Sequence, residues 1–158
     1  MPADQTLPAD QTLPADQTLP PGQTLPADQT LPADQTLIAA ARAVVNPRRL
    51  SRTVEVGGVG AALRTASGAI YTGVCIDAAS GIGFCAEHGA VAAMITAGES
   101  RIIAIVAVDW DGSILQPCGR CRELVVQVDD GNAETRVILP GCVKPMRALL
   151  PDHWLLDR

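Results

Sequence analysis

The sequence predicts a layered α/β domain in which helices cover a mixed sheet. Three observations carry this. Segments of helical and of strand periodicity follow one another in the order α-β-β-α-β-α-β from residue 33 onward. One strand segment, "RIIAIVAVD" at 101–109, is apolar almost throughout, as a strand covered on both faces is. Two helical segments begin immediately after loops, so both can pack on one sheet with their N-termini together.

The elements follow in order. "ADQTLIAAARAVV" at 33–45 reads as a helix with Asp34 or Thr36 as N-cap and Leu37, Ala40, Ala41 and Val44 on one face. Residues 54–65, "VEVGGVGAALRT", read as a strand with glycine-rich close packing. Residues 69–77, "AIYTGVCID", are its hairpin partner across Ala66, Ser67 and Gly68. Residues 85–97 are apolar at helical spacing through Ala86, Ala90, Val91, Met94 and Ile95. After the strand at 101–109, "WDGS" turns the chain into a helix at 118–128, a strand at 135–140 and a short helix near 144–150.

Ahead of this lies a repeat. Residues 2–37 are six tandem hexamers, five PADQTL and one PPGQTL. A proline in every copy excludes one continuous helix. The copies carry too little apolar surface to offset the entropy of ordering them. Residues 1–36 are therefore expected to be a disordered tail and 37–158 the folded domain, the repeat having arisen as copies of the leader of the first helix.

The chain of 158 residues suffices for one domain, and 47% of it is hydrophobic. Its net charge of −5 comes from the tail: residues 1–37 hold five Asp and no Lys or Arg, leaving twelve acidic and twelve basic residues beyond. A neutral body argues against gripping long nucleic acid, which needs many cationic contacts, and aromatics for base stacking are scarce. No apolar run is long enough to span a membrane and no secretory signal is visible, so a cytoplasmic location is expected. In that compartment five cysteines point to metal binding or catalysis before disulfides.

Three of those cysteines sit at the two helix starts. Cys85 opens "CAEHGAV", and Cys118 and Cys121 are spaced Cys-x-x-Cys in "ILQPCGRCRE". Helix N-termini carry partial positive charge and free N–H groups, which favour thiolates. Three thiolates would hold one Zn²⁺ per subunit and leave a fourth position open to water, the pattern of a catalytic zinc. Glu87, two residues past Cys85, would stand beside that position as a proton carrier. Other readings stay open: a thioredoxin-like pair, or a closed zinc site completed by Cys142 or Cys75, although each of these two thiols also reads as simply buried.

Pro117-Cys118-x-x-Cys121 with an upstream Cys-x-Glu resembles the zinc deaminase signature. "TGVCIDAASGIGFCAEHGAVAAM" and "ILQPCGRCRELV" are similar to the cytidine deaminase and blasticidin-S deaminase family, from about residue 54 to Trp154. The resemblance implies a three-layer α-β-α fold on a mixed five-stranded sheet. It also implies a zinc-dependent hydrolase in pyrimidine metabolism that converts a cytosine-type nucleoside (cytidine, deoxycytidine or a blasticidin-like compound) to the uracil form with release of ammonia. Glu87 would move the protons. Cys75, Asp77, Ala86 and Trp154 would contact substrate, and the protein would be a homotetramer. In three-cysteine relatives an arginine follows Cys-Ala-Glu; here His88 stands there, and Arg122 is expected to offset most of the thiolate charge.

The sequence departs from the family where the sugar is held. Cytidine deaminases carry Phe in a Phe-x-Val-Gly-Ala-Ala segment, where this chain has Gly57. They carry Asn and Glu in Val-Asn-x-Glu-Asn, where this chain has Cys75 and Asp77. A thiol replaces an amide poorly, since the amide both donates and accepts. A deaminase of free bases or azines such as cytosine or azacytosine is therefore the alternative substrate class. A zinc-stabilised structural domain is the alternative to an enzyme.

Overall fold

The computed structural model describes residues 25–26 and 31–155. In chain order these form β1 (Leu25–Pro26), α1 (Pro32–Ala43), β2 (Arg48–Arg49), β3 (Val54–Thr65), β4 (Ile70–Ala78), α2 (Ala86–Thr96), β5 (Ile102–Asp109), β6 (Ile114–Leu115), α3 (Gly119–Val128), β7 (Arg136–Leu139) and β8 (Cys142–Pro145). The five longer strands lie in the order β4-β3-β5-β7-β8; β5 and β7 are parallel and the other neighbours antiparallel, so the sheet is mixed. Of the two-residue strands, β1 pairs with the edge strand β8, whereas β2 and β6 pair with β3 and β5. No helix among the described residues is long and apolar enough to cross a membrane.

Period-two alternation sorts the strand side chains onto two faces. Ala62, Ala104, Val106, Val108 and Ile138 meet Leu37, Ile38 and Ala41 of α1. Leu63, Ile105 and Val137 point the other way and meet Ala90, Val91, Met94 and Val125 of α2 and α3. The result is three layers, with α1 alone on one side. Each fully buried Leu, Val or Met contributes about 1.5–3 kcal/mol, so each face holds its helices by apolar packing.

The first helix starts earlier than expected. Pro32 occupies its first position and Leu31, not Asp34 or Thr36, is the N-cap. Proline suits a first turn because its missing N–H would be unpaired there. Asp34 at the third position accepts a hydrogen bond from the Leu31 N–H at 3.0 Å, closing the turn. The last hexamer, assigned by sequence partly to the tail, thus supplies the first turn of α1, and the helix covers residues 32–36 as well. Leu25–Pro26 pairs with β8 at Val143 and Cys142; the remaining repeat copies lie outside the described residues.

Two further differences have local causes. Pro140 and Gly141 make a tight turn, with φ of +75° at Gly141, that sends the chain back as β8. The helix expected at 144–150 is reduced to a 3₁₀ turn, Met146–Leu149, because Lys144 and Pro145 belong to that strand. Gly57 stands at a bulge in β3 with φ of +77°, and a Cβ there would collide with the Asn46 carbonyl. A side chain as large as phenylalanine cannot be accommodated at this backbone.

Candidate active site

Two helix starts meet on one face of the sheet. α2 rests directly on β4, because a Cβ on Gly73 would overlap the backbone of Ala86 and Ala90. Cys85 is the N-cap of α2 and Cys118 the N-cap of α3, both with extended backbone. Cys121 lies one turn into α3 and is buried. Cys85 Sγ is 3.4 Å from Cys118 Sγ, which is 3.4 Å from Cys121 Sγ. The three thiols singled out in the sequence therefore share one place.

Their protonation differs. Burial pushes the Cys121 thiol up strongly, and the Glu87 carboxylate adds to it. Cys85 is raised mainly by burial. Burial also opposes ionisation of Cys118, but hydrogen bonds from the Cys121 and Arg120 backbone and from the neighbouring thiols outweigh it and hold it below its ordinary value. Cys118 is thus the first thiolate of the group, as its place at a helix N-terminus favours.

Soft donors at this spacing fit zinc, whose bonds to sulfur are about 2.3 Å long and tetrahedrally arranged. A fourth donor adjoins them. His88 Nδ1 lies 3.5 Å from Cys121 Sγ, and donor atoms of Cys85, His88 and Cys121 fall within 4.8 Å of one another. Sequence reasoning gave His88 only a minor part. The signal was its position, three residues past Cys85 and so on the same helix face.

Glu87 in the first turn of α2 is 5% exposed. No ion pair or hydrogen bond engages its carboxylate among the described residues. It lines a cavity of about 530 Å³ together with Cys85 and Cys118. Cys75, Asp77 and Ala86 line the same cavity. Cys75 accepts from the Val59 N–H at 3.2 Å and donates to Asp77 Oδ2 at 3.8 Å, so the thiol positions the carboxylate. Cys142 packs instead against the core beneath α2 and α3.

Arg122 and Trp154 make their side-chain hydrogen bonds outside the thiol group. The Arg122 guanidinium donates to the Pro117 carbonyl at 2.8 Å and the Leu149 carbonyl at 3.1 Å. It ties the approach to Cys118 to the C-terminal segment, and His88 rather than Arg122 meets a sulfur. Trp154 does not line this chain's cavity; its indole Nε1 donates to Glu123 Oε1 at 2.6 Å, and His153 Nε2 lies 2.8 Å from Glu123 Oε2. The Arg122–Leu149 and Trp154–Glu123 contacts join segments distant in sequence, which local pattern does not reveal.

A three-layer frame that gathers helix-borne thiols beside an unengaged carboxylate defines a class of α/β proteins suited to hold a soft metal ion next to a proton-transfer group. The comparisons narrow this class. No family model matches the chain. It is 39% identical over 100 residues to a cytidine deaminase of Mycobacterium tuberculosis, covering 63% of this chain and 74% of that protein. A blasticidin-S deaminase of Bacillus cereus is 38% identical over 76 residues, 42% of this chain and 54% of that one. The crystal structure of the Mycobacterium tuberculosis cytidine deaminase superposes with a TM-score of 0.66 at 32% identity, over 77% of this chain and 97% of that one. The Mycobacterium leprae cytidine deaminase gives 0.64 at 35% identity, over 75% and 97%. The chain belongs to the cytidine deaminase family.

Proposed function

We propose that this protein is a zinc-dependent hydrolytic deaminase that converts a cytosine-type nucleoside to its uracil form and releases ammonia. The observation that carries it is the Glu87 carboxylate, buried and without a partner among the described residues, in the cavity that Cys85 and Cys118 line. Buried carboxylates are normally paired; one left with free acceptor oxygens in a cavity is placed for proton transfer.

Cys85, Cys118 and Cys121 would hold one zinc ion per chain, which supplies a Lewis acid that makes water nucleophilic near neutral pH. Glu87 accepts a proton from the water whose oxygen attacks C4 of the ring and delivers it to ring N3. It then takes the proton of the new C4 hydroxyl and passes it to the amino group, so that the C4 carbonyl forms as the C4–N bond breaks and ammonia leaves. His88, whose Nδ1 lies 3.5 Å from Cys121 Sγ, would temper the charge of the thiolates in the tautomer that carries its proton on Nδ1. Asp77, held by Cys75, accepts from a hydroxyl at the cavity rim. Ala86 presents backbone to the ring.

The donor atoms of Cys85, His88 and Cys121, within 4.8 Å of one another, support a second reading, in which these three hold zinc and Cys118 would close the site with a structural duty. Zinc content and ammonia release, measured together on cytidine, deoxycytidine, blasticidin S, cytosine and azacytosine, separate the two. Turnover of the nucleosides supports the proposal, turnover of the bases alone supports the free-base alternative, and bound zinc with no turnover of any compound supports the structural reading. Exposed Ile82 and Phe84 near the cavity support assembly into a homotetramer that covers them, checked by light scattering. A cytoplasmic role in pyrimidine metabolism accords with this substrate class.

A further inference from the structure

The cavity holds a cation that the chemistry above does not use. Arg120, the second residue of α3, lines it between the two cysteines of the Cys-x-x-Cys pair. Eight other arginines among the described residues bond to a carbonyl, an amide or a carboxylate. Arg52 and Arg120 have no such side-chain partner among the described residues, and only Arg120 lines the cavity.

Burial orders the cavity from inside to outside. Ala86, Glu87 and Cys75 are buried, whereas Asp77, Gln116 and Arg120 are exposed. A substrate whose ring reaches Glu87 must lay its remaining part along this rim. A guanidinium presents donors in a planar fork that matches the two oxygens of a carboxylate or phosphate. We propose that Arg120 is a specificity-determining residue that selects substrates carrying an anionic group, a carboxylate or a phosphate ester, on the part of the molecule away from the reacting ring. This rests on the deaminase reading and narrows its substrate class. Asp77 sits across the same rim and keeps a hydroxyl or an ammonium of the same substituent.

The test compares kcat/KM of the full-length, zinc-loaded protein on cytidine, cytidine 5′-monophosphate and the 5′-carboxylate of cytidine, for the wild type and Arg120→Gln. The proposal expects at least one anion to exceed cytidine by about tenfold or more, and Arg120→Gln to lower that ratio by about ten- to a hundredfold, the worth of a charge-assisted hydrogen bond. The arms separate the sources of the anion: preference for the monophosphate identifies a phosphate ester, and preference for the uronate a carboxylate. Arg120→Lys, which keeps the charge without the fork, should retain an intermediate ratio. Turnover of cytidine with no preference for either anion, or a preference that Arg120→Gln leaves intact, overturns this inference alone. No ammonia from any of the three compounds overturns this inference, and the deaminase reading falls with it only if blasticidin S, deoxycytidine, cytosine and azacytosine are inert as well.

Discussion

Two carboxylates of this protein stand in the first turn of a helix and are almost wholly buried, Asp34 in α1 and Glu87 in α2. The helix dipole favours both alike. Their partners differ. Asp34 accepts from the Leu31 N–H and pairs with Arg136 at 2.7 Å, with Arg64 at 3.9 Å, so it fastens α1 to β7 and β3. Glu87 has no such partner among the described residues and faces a cavity. Burial alone therefore does not mark a functional carboxylate. What marks it is a carboxylate that no arginine pairs among the described residues and that opens onto a cavity.

Substitution sharpens this contrast. Glu87→Gln keeps shape and removes the proton carrier, so turnover should fall by about a hundred- to ten-thousandfold while zinc content and the urea midpoint stay as in the wild type. Asp34→Ala should do the reverse. It strands Arg136 in the core and should cost about 3–5 kcal/mol of stability by urea unfolding, with kcat of the folded fraction preserved. If Glu87→Gln instead unfolded the protein, or Asp34→Ala silenced it without destabilising it, the two roles would have been assigned the wrong way round.

Smaller effects probe the supports. Arg122→Ala frees the Pro117 carbonyl next to Cys118 and should weaken zinc by about ten- to a hundredfold in chelator competition, as loss of groups that orient metal ligands does. Unchanged zinc affinity would show that the Arg122 clasp holds only the C-terminal segment. Trp154→Phe keeps the ring and removes the donor to Glu123. It should give the smallest change, a slight drop in the thermal midpoint with unaltered zinc content.

Much of this site was legible in the sequence because its determinants are local. A cysteine two residues ahead of a glutamate, and a Cys-x-x-Cys pair, each at the start of an apolar helical run, need only two helices on one sheet face to converge. The strands at 54–65 and 101–109 declared themselves by composition and length. What was hidden depends on contacts between distant segments. The Asp34–Arg136 pair spans 102 positions. The carbonyl partners of Arg122 include Leu149, and the approach of His88 to Cys121 depends on how α2 and α3 lie together. The start of α1 is a different case: Pro32 and Asp34 carried the signal, but the hexamer repeat masked it, since the same letters recur where no helix follows them.

X-ray absorption at the zinc edge of the full-length protein tests the central claim most directly. The account predicts one zinc per chain with three sulfur neighbours and one light neighbour that exchanges with solvent. A chain that takes up no zinc, or a shell in which the His88 imidazole is a permanent fourth ligand, would contradict it.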